Sequence, residues 1–344
     1  PGSAQNVLTW TANSESDLAS YKVYGGTSSS PTTLLATISA GTETYTNSSL
    51  TNGTLYYYRI SAVDNVGNES SVTSDVSSLP HATDGDYSLS FDGSDDYVEL
   101  TDIDLLQSYT LMAWVNNTDH TTPNNIISKY TGSNSSAAYA LLISSEIGYL
   151  YAHPTYGSQS VSSTVIPYNT WNQVVMVFDQ SASTIKLFFN GSLIHTSNSM
   201  PNSPDNSSNV FIGKAAWGNT EYFNGKIDES CIWDDALTAS EITALYNSGV
   251  PLAASSNSGD YASSANLKGY WRFGENTGTT LYDLSGNGNH GTISGATYTG
   301  QGANGVLPTI SSVSLASNNS TIAVTMSEAV YNTNGESGSL EASD

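Results

Sequence analysis

Tyr149, Tyr151 and His153 alternate with Leu150 and Ala152, a period of two that sends all three rings to one face of a strand. Rings aligned this way can stack on the apolar faces of sugars, with nearby amides and carboxylates taking hydroxyl pairs. The same spacing also fits side chains that cap a core between two sheets. Trp217 has a different setting, in the polar stretch 213–222 between two apolar runs. A large aromatic in such a loop is expected to touch a ligand. Trp114, Trp171 and Trp233 lie inside apolar strings and are expected in the core.

The carboxylates point away from catalysis. Glycoside hydrolysis needs two of them facing each other across the scissile bond. Glu146 stands alone, whereas Asp228 and Glu229 are adjacent, and adjacent residues of a regular strand face opposite ways. No Gly-x-Ser-x-Gly elbow follows a strand to expose a nucleophilic serine. The stretch from Asp283 to Asn289 has the polar, glycine-rich look of a calcium loop. Its twelfth position is Ser294, not the bidentate glutamate such loops require, so it reads as a turn. The expectation is a chain without enzymatic activity of its own.

Composition narrows the partners. The 344 residues carry 8 Lys+Arg against 31 Asp+Glu, a formal charge of −23. Neutralising phosphates takes clustered bases, so nucleic acid is disfavoured, and an anionic membrane surface equally so. No run approaches the roughly 18 apolar residues of a membrane helix, which argues against membrane insertion. A single cysteine, Cys231, excludes an intrachain disulfide.

The elements that must position these residues read as short strands. Val7–Trp10, Tyr21–Tyr24, Leu34–Ile38 and Tyr56–Ile60 are β-rich and separated by turn residues such as Gly25-Gly26 and Asn52-Gly53. Leu50 stands six residues before Tyr56 on the approach to a long strand. A tyrosine there can bury its ring and return its hydroxyl to upstream backbone. With Trp10 on an early strand, residues 1–79 resemble a fibronectin type III domain whose first strand is missing. A short linker around Pro80 follows.

A second set of strands begins near residue 86. The strings FDGSDDYVEL, AWV, WNQVVMVFD, LFFNGSL and GKIDESCIW follow in order, with Asn190-Gly191 as a strong hairpin signal. In that order they resemble the laminin G-like, concanavalin A-like family, and we assign residues 86–300 to it. Thr238 and Glu241 form a capping box ahead of a short helix presenting Ile242, Leu245 and Tyr246. Residues 266–298 read either as the last strands of the same sandwich or as the start of a second copy. Residues 306–344 look like an incomplete immunoglobulin-like domain.

The fold class expected is therefore all-β: a fibronectin-like sandwich, a jelly-roll sandwich of two curved sheets, and a truncated third module. The resemblance implies a structural Ca2+ clamping the first strand to the last, with Asp228 as side-chain ligand and Asp92 supplying a carboxylate or carbonyl oxygen. It also implies non-catalytic binding of a glycan or cell-surface polysaccharide by a secreted or cell-surface modular protein, interrupted at both ends. The alternatives are a structural spacer of an adhesin or surface layer, and the accessory region of a polysaccharide-degrading enzyme.

Overall fold

A computed structural model describes residues 4–51, 54–78, 80, 87–105, 107–130, 137–145, 147–155, 158–198, 207–216, 221–300, 302–303, 310–315 and 322–326. The chain divides into two units, 1–303 and 304–344. Strands dominate among the described residues, as the alternating sequence requires.

The first strands are β1 (Gln5–Thr9), β2 (Leu18–Gly26), β3 (Leu34–Ser39), β4 (Thr44–Ser48), β5 (Tyr56–Asp64) and β6 (Val76–Ser78). They form a two-stranded sheet, β1-β4, and a four-stranded sheet, β3-β2-β5-β6. Tyr21, Val23 and Tyr58 are buried here. The Tyr58 hydroxyl accepts from Asn6 Nδ2 at 3.0 Å and Asn47 Nδ2 at 3.1 Å, tying β5 to both strands of the smaller sheet. Tyr56 behaves only in part as expected. Its hydroxyl accepts from the Thr51 amide at 3.1 Å, but its ring is half-buried. The buried ring belongs to Tyr58, two residues along the same strand face.

The next sixteen strands make one sandwich. They are β7 (Tyr87–Asp92), β8 (Tyr97–Leu100), β9 (Tyr109–Asn117), β10 (Asn124–Tyr130), β11 (Ala137–Ile143), β12 (Tyr149–Thr155), β13 (Ser158–Val165), β14 (Asn172–Asp179), β15 (Thr184–Phe189), β16 (Ser192–Ser197), β17 (Val210–Ile212), β18 (Asn224–Trp233), β19 (Leu267–Trp271), β20 (Thr280–Leu281), β21 (Gly291–Ser294) and β22 (Thr297–Gly300). The front sheet runs β13-β12-β11-β10-β17-β8-β21-β20, and the back sheet β16-β15-β14-β9-β18-β7-β22, with β19 also paired to β18. Every pairing is antiparallel, and the Asn190-Gly191 turn (φ 46° and 74°) closes the β15–β16 hairpin as its sequence requires.

Alternation explains the layers. Leu111, Ala113, Val115, Val174, Met176 and Ile227 of the back sheet meet Leu141, Ile143, Leu150, Ala152 and Ile212 of the front sheet in one buried core. Met112, Val175, Val177, Cys231 and Trp233 point the other way and form a second buried layer. Helix α1 (Ala239–Tyr246) covers it with Ile242 and Leu245, and Ala254, Tyr261 and Leu267 add to the cover. Both halves of the Thr238–Glu241 capping box are made. Helix α1 ends at Asn247, whose backbone takes the left-handed region (φ 46°). Trp114 is buried and stacks on Tyr246 at 5.6 Å. Trp171 departs from expectation: it precedes β14 and is half-buried, because the turn before that strand is held by Asn172 Nδ2 bonds to Pro167 O and Thr170 O.

The late segment completes this sandwich. β19 pairs with β18, β21 with β8, and β22 with β7, Gly300 lying opposite Tyr87. In the second unit, β23 (Ile310–Leu315) and β24 (Ile322–Met326) form an antiparallel hairpin.

The tightest backbone approach in the sandwich is at Gly225, with φ 137° and a would-be Cβ 2.3 Å from Asn116 O and 2.7 Å from Asn117 Cα. Backbone of a central strand cannot yield as a side chain can. Gly225→Ala should cost about 2–3 kcal/mol in urea unfolding, whereas Gly300→Ala, with nothing within 4 Å, should be nearly neutral.

Candidate functional site

β12 places the three predicted rings as its sequence demands. Leu150 and Ala152 enter the inter-sheet core, so Tyr149, Tyr151 and His153 turn to the outer face of the front sheet, each half-buried. Register sets their neighbours. Tyr151 lies between Val161 of β13 and Leu142 of β11, His153 beside Ala140, and Tyr149 beside Val165, which is 49% exposed. The rings therefore do not cap the core between the sheets.

Gly148 stands directly before β12. The Gly148 backbone (φ 79°) would carry a Cβ only 2.0 Å from the His120 ring, so the missing side chain makes room for that imidazole. His120 in turn meets Tyr168 edge-to-face at 5.6 Å. Tyr168, 56% exposed, is the one aromatic among the described residues that stands mostly in solvent, and Ile147 beside Gly148 is 50% exposed. Sequence reading singled out neither Tyr168 nor His120. The one hint was an aromatic directly after Pro167 in a polar turn.

Trp217 itself lies outside the described residues. The segments on either side of it pair: Ala215 N donates to Glu221 O (2.9 Å), and Phe223 N to Gly213 O (2.8 Å). Ser128 Oγ of β10 donates to Lys214 O and accepts from Ala216 N, which ties residues 214–216 to the front sheet. Farther along the sheet the Lys214 ammonium sits 4.5 Å from the Tyr97 ring centroid and 5.0 Å from that of Phe211.

The implied metal pair does not come together. Asp92 lies opposite Asn224, whereas Leu89 lies opposite Ile227, so Asp228 is four residues along the strand, on the order of 13 Å away. One ion cannot touch both. Asp92 instead joins Asp95 and Asp96, whose carboxylate oxygens lie within 4.8 Å of one another. Asp96 is buried and accepts from the Asp92 amide at 2.9 Å. Burial, reinforced by the charges of Asp92 and Asp95, holds its carboxyl above the usual range. No described lysine or arginine pairs with the three.

Asp228 is wholly buried, accepting from the Glu229 amide at 2.8 Å and the Ala303 amide at 2.7 Å. Burial, with the adjacent Glu229 charge, pushes its carboxyl well above the usual range. The expectation that Asp228 and Glu229 face opposite ways fails at a bulge. Asp228 lies opposite Trp114 and Cys231 opposite Met112, so three steps on β18 match two on β9. At that bulge Glu229 takes φ 45° and reaches Tyr270 Oη at 2.5 Å and Arg272 Nε at 2.9 Å. With 0% and 2% exposure, the two acids hold strands together and meet no solvent. Asp283 is likewise a turn centre, accepting from the Tyr270, Ser285 and Asn289 amides.

Removing Arg272 would leave the buried Glu229 without its guanidinium partner. Arg272→Ala should cost about 3 kcal/mol, while Lys268→Ala, which breaks a pair 39% exposed on each side with Asp234, should cost under about 1 kcal/mol. Denaturant midpoints of the two variants check the contrast.

Residues 92–243 match the family model described as the concanavalin A-like lectin/glucanases superfamily. No curated protein matches the chain. Among solved structures the chain is similar to a candidate carbohydrate-binding protein from Bacteroides ovatus, at 17% identity and TM-score 0.50, over 86% of this chain and 91% of that one. It is also similar to the heptameric SAP-like pentraxin of Limulus polyphemus (15% identity, TM-score 0.47, 65% of this chain, 100% of that one). A third is the CBM40 of the Ruminococcus gnavus IT-sialidase, solved with α2,3-sialyllactose (17%, 0.39, 46% and 97%). The two packed antiparallel sheets agree with that match: the chain folds as a β-sandwich, and residues 92–243 are similar to the concanavalin A-like family.

Proposed function

We propose that this chain binds carbohydrate without catalysis, through the outer face of the front sheet around β12. The observation that carries the reading is the asymmetry of the sandwich. The back sheet is sealed by α1 and its neighbours, whereas Tyr149, Tyr151 and His153 face outward on the front sheet and lead to the exposed Tyr168. The Bacteroides ovatus protein, similar in fold over most of both chains, gives the same reading support by analogy of fold. The acids of β18 are spent on internal bonds, which supports binding over hydrolysis. The finer reading is a secreted or cell-surface adhesion region. The strand order β3-β2-β5-β6 against β1-β4 supports a fibronectin type III module preceding it.

Glycan arrays probed with the full chain test the proposal. Tyr151→Ala should weaken binding to any glycan retained by roughly tenfold or more without moving the melting temperature. Wild type silent on every array, or Tyr151→Ala binding as wild type does, removes the site; the second result favours a spacer for this face.

A structural Ca2+ on Asp92, Asp95 and Asp96 belongs to the same proposal, and it would relieve their mutual repulsion. Calcium should raise the melting temperature by several degrees, and Asp96→Asn should abolish that rise. Equal melting in calcium and in chelator removes the ion.

A further inference from the structure

Resting on the proposed carbohydrate binding, the geometry points to a narrower class of ligand: we infer that the β12 face takes an internal stretch of an uncharged, linear polysaccharide, several sugars at a time. Three observations carry this. Tyr149, Tyr151 and His153 recur every second residue, about 6.7 Å apart, so they span about 13 Å along the strand. Beyond Tyr149 the rim also carries His120, packed at Gly148, with the exposed Tyr168 against it. A single terminal sugar would use one ring of such a row; a chain laid along β12 uses them in turn.

The second observation is position. β12 is next to the edge strand β13 in the front sheet, whose exposed Gln159 and Ser163 flank the row. Their neutral polar groups suit sugar hydroxyls, and Ile147 and Val165 supply apolar edges. Charge is the third. No lysine or arginine occurs between Lys129 and Lys186, the span that supplies β11, β12, β13 and the turns at this rim. With a formal charge of −23 on the whole chain, a polyuronate or sulfated polymer would meet repulsion and no local cation to offset it.

Titration calorimetry of the full chain with neutral oligosaccharide ladders, from monosaccharide to hexasaccharide, tests this directly. Cello-, xylo-, manno- and laminari-oligosaccharides serve as the neutral probes, with polygalacturonate and alginate as acidic ones. The expected result is affinity for at least one neutral series that rises tenfold or more between the monosaccharide and the tetrasaccharide. Tyr168→Ala, a surface change, should lower hexasaccharide affinity about fivefold and leave disaccharide affinity unchanged. Affinity independent of length, or binding confined to the acidic polymers, overturns this inference while leaving carbohydrate binding standing. Failure of every glycan to bind removes both.

Discussion

The bulge in β18 is the constraint on which the rest of the sandwich depends. One extra residue between Asp228 and Cys231 forces Glu229 to φ 45°, a conformation that non-glycine residues adopt only when their surroundings compel it. The compulsion is visible. Glu229 is bonded to Tyr270 and Arg272 at the end of β19, and Asp228 to the Ala303 amide beyond β22. Two buried acids on one central strand thus fasten the last part of the sandwich to its middle. Hydrogen-bonded in this way, such buried acids are tolerated; with a partner removed, they become costly.

That fastening gives the two faces of the sandwich different fates. The segment after β18 turns back over the back sheet as α1 and the stretch to Tyr261, burying Met112, Val177, Cys231 and Trp233 beneath it. Its return as β19, β21 and β22 extends both sheets instead of building a further layer. The front sheet keeps its outer face for residues 214–216, anchored at Ser128, and for the rings of β12. The burial pattern of Cys231 follows the same logic. At 0% exposure, its thiol is pushed well above its ordinary range, chiefly by burial, and it packs as a small apolar group.

Strand identity and facing were legible wherever period-two alternation was unbroken. Leu150 and Ala152 inside with Tyr149, Tyr151 and His153 outside follows from spacing alone. The Asn190-Gly191 hairpin and the Thr238–Glu241 cap were equally local. Reading failed where the chain departs from regularity. The bulge at Asp228–Glu229 is invisible to a rule that assumes strict alternation, and the half-buried Trp171 escaped a reading that continued β14 one residue too far. The Asp92–Asp228 pairing failed for another reason: it depends on register between strands more than a hundred residues apart, to which neither local string refers.

Local residue order was enough for the class of fold, the inward and outward faces of most strands and the three rings of β12, because each of these follows from neighbours within a few residues, and composition gave the acidity. Long-range packing was needed to show that residues 267–300 close the β7–β22 sandwich, that Asp92 gathers with Asp95 and Asp96, and that Tyr168 meets His120 beside Gly148. Those outcomes rest on cross-strand register and on loops meeting at one rim, and long-range pairing of that kind is fixed by the packing of the whole core.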